Sequence, residues 1–334
     1  LNTRDTMATT TTAKTKTKAR KKYDGPTGEE KLVMELVELM QRGVSPWKKD
    51  WGGTASFRNL ITGHQYQGAN PAVLHMYMQA REFSLPLFCG AGQAKKAGFS
   101  FRKGSKACYI LRPQQCTAEA KDADGNPIKD ENGDTVKKTW IAYKGTAVFN
   151  VADLVAKDDK AQAKLDELIL KAQGLNPEEL PEKERNQAAR DQLSKWVVQP
   201  SHGGSRAFYR ASTDSIQMPD YKQFHTEAGY LSTLAHEMVH STGHGSRLAR
   251  GLGGNAFGSD DYAKEELIAE LGAFLIGTRL EIGSNVENHA SYLSSWIKCL
   301  KREPKYLLKA LSEANKAANL IAPVTTITIE DEEG

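Results

Sequence analysis

The run Ser232–His244, STLAHEMVHSTGH, constrains this chain more than any other segment. It contains His236-Glu237-Met238-Val239-His240, two histidines four residues apart. On a helix that spacing puts both imidazoles on one face, one turn apart. There a single Zn²⁺ is held at ~2.0–2.1 Å from each nitrogen. Glu237 then stands beside the metal rather than on it, placed to take a proton from an attacking water and pass it to a leaving amine. Leu231, Leu234, Ala235, Met238 and Val239 give the same helix a core face, and Gly243 ends it. The fold must therefore bury a helix that carries two ligands and an acid–base group.

A catalytic site needs a third protein ligand and an open fourth position. His244 is the nearest candidate, but residues at i, i+4 and i+8 span about 12 Å along a straight helix. Only a break at Gly243 would bring it round. The long metzincin pattern has its third histidine three residues after that glycine, where this chain has Ser246. A glutamate from a later helix is the alternative. In Tyr262–Gly277, YAKEELIAELGAFLIG, a core stripe of Leu267, Ile268, Leu271, Phe274 and Leu275 leaves Glu266 and Glu270 on one flank. Ala273 and Gly277 continue that flank and allow another helix to come close, while Glu265 projects elsewhere. The segment Glu266-Leu-Ile-Ala-Glu270 resembles the Glu-x-x-Ala-acid segment of gluzincin-type peptidases. That resemblance implies Glu266 as the metal ligand and Glu270 as the acid that orients a ligand histidine. Swapped roles for the two acids stay open.

Charge separates the chain into two regions. The net charge is +4, yet residues 1–22 alone carry seven Lys/Arg and one acid, or +6. The window 46–112 holds ten Lys/Arg against two acids, or +8, so everything else sums to −10. An anionic partner is expected for the N-terminal half. Residues 1–24 have almost no large apolar side chain and read as a disordered basic tail, with Met7 a candidate start inside it. The end, 323–334, is an acidic tail. No apolar run approaches the ~20 residues of a membrane span, and no secretory segment is present in the sequence given. Four cysteines without a CxxC pair are no disulfide framework, which fits a reducing compartment.

Thr27 and Glu30 have capping-box spacing ahead of the stripe Leu32, Val33, Leu36, Val37, Met40. Helices are expected at 71–81 and 93–97, and strands at 106–112 and 139–150. A polar hairpin excursion covers 122–138; its Asp122–Gly125 segment lacks the glycine and glutamate positions of a calcium loop. Two charged helices over 153–197 mark a domain junction. A strand over 207–218 and helical patterns near 226–242, 260–279 and 287–318 complete the reading. Tyr209 and Tyr262 could each donate to an oxyanion, and the sequence selects neither.

Trp47, Trp51, Phe57, Tyr66, Tyr77, Phe99, Phe101 and Tyr109 interleave with basic residues in the first half. Aromatic faces stack on unpaired bases and cations track phosphates. The candidate DNA contacts are Trp47, Lys48, Lys49, Trp51, Arg58, Tyr66, Lys95, Lys96, Arg102, Lys103 and Lys106.

The chain resembles ArdC-type antirestriction proteins and the similar regions of conjugative primases and phage polyvalent proteins. The N-terminal segments that carry the likeness are Gly43–Trp47, Asn59–Gly63, Tyr66–Asn70, Arg102–Gly104 and Val148–Asn150. The C-terminal ones are Ala207–Tyr209, Asp214–Pro219, His236–His244, Arg247-Leu248, Glu265–Leu271 and Tyr292–Trp296. The resemblance implies an α+β chain: an N-terminal α/β domain over 25–152 that binds single-stranded DNA, then a mostly helical zincin-like metallopeptidase domain with a small sheet over 153–322. It implies one zinc ion per chain or another divalent transition metal, a peptide or protein substrate, no membrane, and a cytoplasmic or DNA-delivered setting. Two other functions remain in view: a DNA-binding protein with a structural metal site, and a peptidase whose N-terminal domain binds protein. An intact Glu237 argues against a purely structural site. No P-loop, dinucleotide fingerprint or helix-turn-helix signature is found.

Overall fold

In the computed structural model, which describes residues 25–46, 56–122, 125–175, 180–252, 259–283 and 289–324, the first helix starts at its capping box. In α1 (Gly28–Gln41) the Glu30 amide donates to Thr27 Oγ1 at 3.2 Å, and Glu30 Oε2 accepts from the Thr27 amide at 2.8 Å. The stripe Leu32, Val33, Leu36, Val37 and Met40 is buried. Gly43, at φ 80°, ends the segment in left-handed backbone.

The N-terminal half adds α2 (Asn70–Arg81), α3 (Ala91–Ala97) and short strands β1 (Arg58–Asn59), β2 (Leu87–Cys89) and β3 (Ser100–Phe101). The two expected strands form one long antiparallel hairpin, β4 (Cys108–Glu119) and β5 (Lys137–Asn150), from Cys108 opposite Val148 to Glu119 opposite Lys137. The polar insert prolongs it through bridges Lys121–Pro127 and Lys129–Thr135. The sheet order is β1-β2-β5-β4, with β1 parallel to β2 and the other pairs antiparallel.

Next come β6 (Leu154–Val155), paired with β3, and α4 (Asp159–Gly174). Leu165 and Ala172 of α4 share a small core with Leu60, Leu87, Cys89, Ala94 and Phe99. The expected boundary at 152/153 therefore cuts through a packed unit; α4 belongs with the first half.

The second half contains α5 (Glu182–Leu193), β7 (Pro200–His202), β8 (Phe208–Arg210), β9 (Ser215–Met218), α6 (Glu227–Thr242), α7 (Asp260–Arg279), α8 (His289–Arg302) and α9 (Tyr306–Ile321). The single strand expected over 207–218 is a hairpin that turns through Asp214, at φ 45°. The sheet order β7-β9-β8 leaves β8 as an edge. The helical pattern 287–318 is two helices, because Pro304 lacks an amide hydrogen and its ring clashes with the preceding turn.

One hydrophobic core runs through both halves, from Leu36 and Tyr77 to Phe274, Trp296 and Leu311. α1 packs on α8 and α2 on α7, and the His75 ring sits 4.8 Å from that of Phe274. Trp296 Nε1 donates to the Ala263 carbonyl at 2.9 Å, tying α8 to α7. Among the described residues no helix is long and apolar enough to cross a membrane. The basic tail 1–24, Trp47, Lys48, Lys49 and Trp51, and residues 325–334 of the acidic tail lie outside the described residues.

Candidate metal centre

α6 begins at Thr226, whose hydroxyl accepts from the Gly229 amide at 3.0 Å. α7 begins at Ser259, whose hydroxyl accepts from the Tyr262 amide at 3.1 Å. The two helices come together at Val239 and Gly272: a Cβ on Gly272 would lie 2.8 Å from both Val239 methyl carbons. Only glycine permits that spacing.

The contact brings α7 acids over the α6 histidines. His236 Nε2 and His240 Nε2 are 3.1 Å apart. Glu266 Oε2 lies 3.6 Å from His236 Nε2, and Glu266 Oε1 lies 3.5 Å from His240 Nε2. Bonds of ~2.0–2.1 Å meeting at a tetrahedral angle put ligands about 3.3 Å apart. The triangle has the dimensions of three ligands around one ion. Among the described residues, His236, His240 and Glu266 are the group of ligating side chains close enough to share one. His244 is not in it; past the end of α6, its Nδ1 instead faces Ser246 Oγ at 2.8 Å.

The electrostatics suit a cation. Burial opposes charge on His236, but Glu266, Glu270 and Glu237 outweigh it and hold the imidazole up at about 10. Burial likewise opposes charge on Glu266, yet His240 and His236 hold its carboxyl down at about 2. The carboxylates of Glu237, Glu265, Glu266 and Glu270 and two imidazoles thus form a buried charged cluster that a divalent ion fits. His236 Nδ1 is buried without a hydrogen bond, its nearest carboxylate being Glu270 Oε1 at 3.8 Å.

Glu265 corrects the sequence reading. It does not project elsewhere: its Oε1 is 3.2 Å from His240 Nδ1. Arg250 holds both of its oxygens, with Nε to Oε2 at 3.0 Å and Nη2 to Oε1 at 2.7 Å. Arg250 also donates to Thr242 Oγ1 and to the Val239 carbonyl. No spacing rule in the sequence points to Arg250, because it reaches back from the loop after α6.

Glu237 and the three ligating residues line one cleft of about 450 Å³. Burial pushes the Glu237 carboxyl above its ordinary range, against the pull of both histidines. Phe208 and Tyr209 of the edge strand β8 form part of the wall. The Tyr209 hydroxyl donates to Asp214 Oδ1 at 2.7 Å, and Asp214 also pairs with Arg247. Tyr262 and Tyr292 face each other across the same cleft, hydroxyl to hydroxyl at 3.2 Å.

The expected DNA contacts divide. Lys95, Lys96, Arg102, Lys103 and Lys106 are exposed within one segment of α3, β3 and the following loop. Tyr66 is buried, with its hydroxyl beside Asn59 Nδ2, and lines a cleft shared with α9 rather than the exposed basic segment. Arg58 donates to the carbonyls of Gly63 and Leu175 at 3.1 and 2.8 Å, so its guanidinium pins a loop to the end of α4. Both side chains carry structural contacts that, among the described residues, the five exposed cations lack.

A helix bearing two histidines and an acid, crossed by a second helix bearing the third ligating group, defines a zincin-like protein. Residues 187–313 match the family model of a zincin-like metallopeptidase. Residues 28–149 match the N-terminal domain of anti-restriction factor ArdC. With both domains in this order, the chain is of the ArdC type. The solved antirestriction ArdC protein from plasmid R388 superposes with a TM-score of 0.60 at 26% identity, over 88% of this chain and 96% of that one. Its Mn(II)-bound form gives 0.59 at 25% identity over the same shares. The DNA primase TraC of Escherichia coli is 34% identical over 303 residues, which is 87% of this chain and 27% of the primase. The chain thus spans about a quarter of that relative.

Proposed function

We propose that this chain binds single-stranded DNA and cleaves peptide bonds at a zinc site, protecting incoming plasmid or phage DNA from restriction in the bacterial cytoplasm. The observation that carries the peptidase reading is Glu237, which lines the same cleft as His236, His240 and Glu266 without belonging to their triangle. A zinc ion held by those three would polarise a peptide carbonyl and acidify water. The Mn(II)-bound relative fits the same divalent class.

Glu237 accepts the proton of the attacking water and returns it to the departing amine nitrogen. Its burial supports that role by bringing its carboxyl closer to neutral operating pH. Glu265 holds the Nδ1 side of His240, and Glu270 places a negative charge 3.8 Å from Nδ1 of His236, while each Nε2 faces the centre. The free edge of β8 offers backbone groups to an extended peptide. The exposed cations of the first half, with no acid among residues 83–121 before Glu119, support an anionic polymer as partner.

The test compares wild type with Glu237→Ala for proteolysis and for protection of partly single-stranded DNA against restriction enzymes. Loss of proteolysis with DNA binding intact is the expected result. Undiminished proteolysis in the variant would remove Glu237 from the mechanism. Absence of proteolysis in the metal-loaded wild type, with DNA bound, would leave a DNA-binding protein with a structural metal.

A further inference from the structure

A second cleft, of about 830 Å³, lies between the N-terminal sheet and α9, away from the metal. We infer that it is a pocket for an unpaired nucleobase, built jointly by the two halves of the chain; this rests on the single-stranded DNA reading and locates where a base is held.

The first observation is a pair of fixed amide donors. The Ile61 and Thr62 amides both donate to Asn59 Oδ1 at 3.0 Å, which turns Asn59 Nδ2 toward Gln93 Oε1 at 3.0 Å. The Gly90 amide donates to the same Gln93 oxygen at 2.8 Å. The Gln93 oxygen is thereby committed, and its Nε2 is left as an outward donor. Across the cleft, Arg279 Nη2 donates to Asn315 Oδ1 at 2.9 Å. Arginine only donates, so the orientation of Asn315 is settled and its Nδ2 is the exposed donor. Both amides line the cleft, one from α3 and one from α9.

The second observation is the wall. Ile110, Val148 and Leu308 give apolar surface on which a flat ring can lie. Among the described residues no Asp or Glu lines this cleft, whereas Glu237, Glu265, Glu266 and Glu270 all line the metal cleft. Arg112 lines it too, and exposed Lys95 and Lys96 follow Gln93 on α3. Donors without carboxylates, an apolar wall and nearby cations complement a base that offers carbonyl acceptors from a phosphate-linked strand. Thymine, with two carbonyl oxygens, is the suitable probe.

The experiment measures affinity of the full-length protein for an oligothymidylate and for an abasic strand of equal length. The double variant Gln93→Glu/Asn315→Asp keeps the acceptor atoms that Asn59, Gly90 and Arg279 use and turns each outward donor into an acceptor. Retained metal content confirms that it is folded. The ratio of thymidylate to abasic affinity should fall by roughly tenfold, the scale of losing paired donors to a base edge. The added charges weaken both strands alike and cancel in the ratio. An unchanged ratio overturns the pocket while leaving DNA binding standing. A wild type that binds both strands equally does the same. A wild type that binds neither overturns the DNA reading and the pocket with it. If the double variant loses its metal, Gln93→Ala and Asn315→Ala are measured singly, and an unchanged ratio in both overturns the pocket.

Discussion

Glu265 Oε1 stands 3.2 Å from His240 Nδ1, and Arg250 clamps both oxygens of that glutamate. The carboxylate fixes the imidazole plane and its tautomer, so Nε2 faces His236 and Glu266. Glu265→Gln is expected to weaken metal affinity by about 10–100-fold, the usual cost of losing such a support. Glu266→Gln, which removes a ligand, is expected to cost more. Chelator competition on both variants checks the order; equal affinity of Glu265→Gln and wild type would rule out the support.

Glu237→Gln keeps the shape of the side chain and removes its basicity. Metal content and thermal midpoint should match wild type, because Glu237 is not one of the three ligating residues. Peptide cleavage should drop by ~10²–10⁴-fold, the range for a lost general base. Loss of bound metal in this variant would contradict the geometry.

Gly272→Ala drives a methyl into Val239, 2.8 Å from both of its methyl carbons. Overpacking of this kind costs about 1–3 kcal/mol. The variant should unfold at lower temperature and hold metal less tightly, since α7 carries Glu266. Val239→Ala in the same chain should recover part of the loss. Wild-type stability in Gly272→Ala would show that the helices can separate freely.

Asp214 supplies a pH dependence. Hydrogen bonds from Arg247 hold its carboxyl at about 2, below the ~3.9 of an unfolded chain. The folded state therefore binds this proton less readily. The stabilisation is complete above about pH 4 and is lost as pH falls through 2. Solvent reaches part of the pair, which keeps the effect small. Denaturant midpoints measured between pH 5 and 2 should fall more steeply for wild type than for Asp214→Asn; parallel curves would refute the pairing.

Replacing Lys95, Lys96, Arg102, Lys103 and Lys106 with glutamine in the full-length protein should flatten the salt dependence of single-stranded DNA binding. The log–log slope should lose about 0.7 for each phosphate contact removed. An unaltered slope would place the electrostatic contact elsewhere. The full chain is the right material, because the first half shares its core with the second.

The legible features were those whose partners sit close in sequence. The Thr27–Glu30 box, the His236/His240 pair and the Glu266/Glu270 flank each need only helical spacing. Glu265 was misplaced because α7 is buried from Leu267 through Gly277, with Glu266 also inside. A helix packed on every side has no solvent face from which to infer where an acid points. The internal contacts of Arg58 and Tyr66 were hidden for a related reason: a basic or aromatic residue in a charged window reads the same whether it is exposed or engaged with carbonyls and core. The two-residue strands β1, β3 and β6 are too short to show a period of two. The α4 boundary was invisible because a charged helix with one apolar seam does not say which neighbour that seam meets.

The core that runs from α1 to α9 also bears on how such a chain is passed on. A break between the halves would uncover Leu32, Leu36 and Met40 on one piece and the seat of α1 on the other. Each side chain returned to water costs about 1.5–3 kcal/mol, a large share of the margin that keeps a protein of this size folded. A longer protein that acquires this module gains nothing by taking half of it. The match to the primase behaves accordingly: it covers 303 residues, more than either half contains. The shared core and the shared length agree: the stretch held in common with the primase takes in residues of both halves.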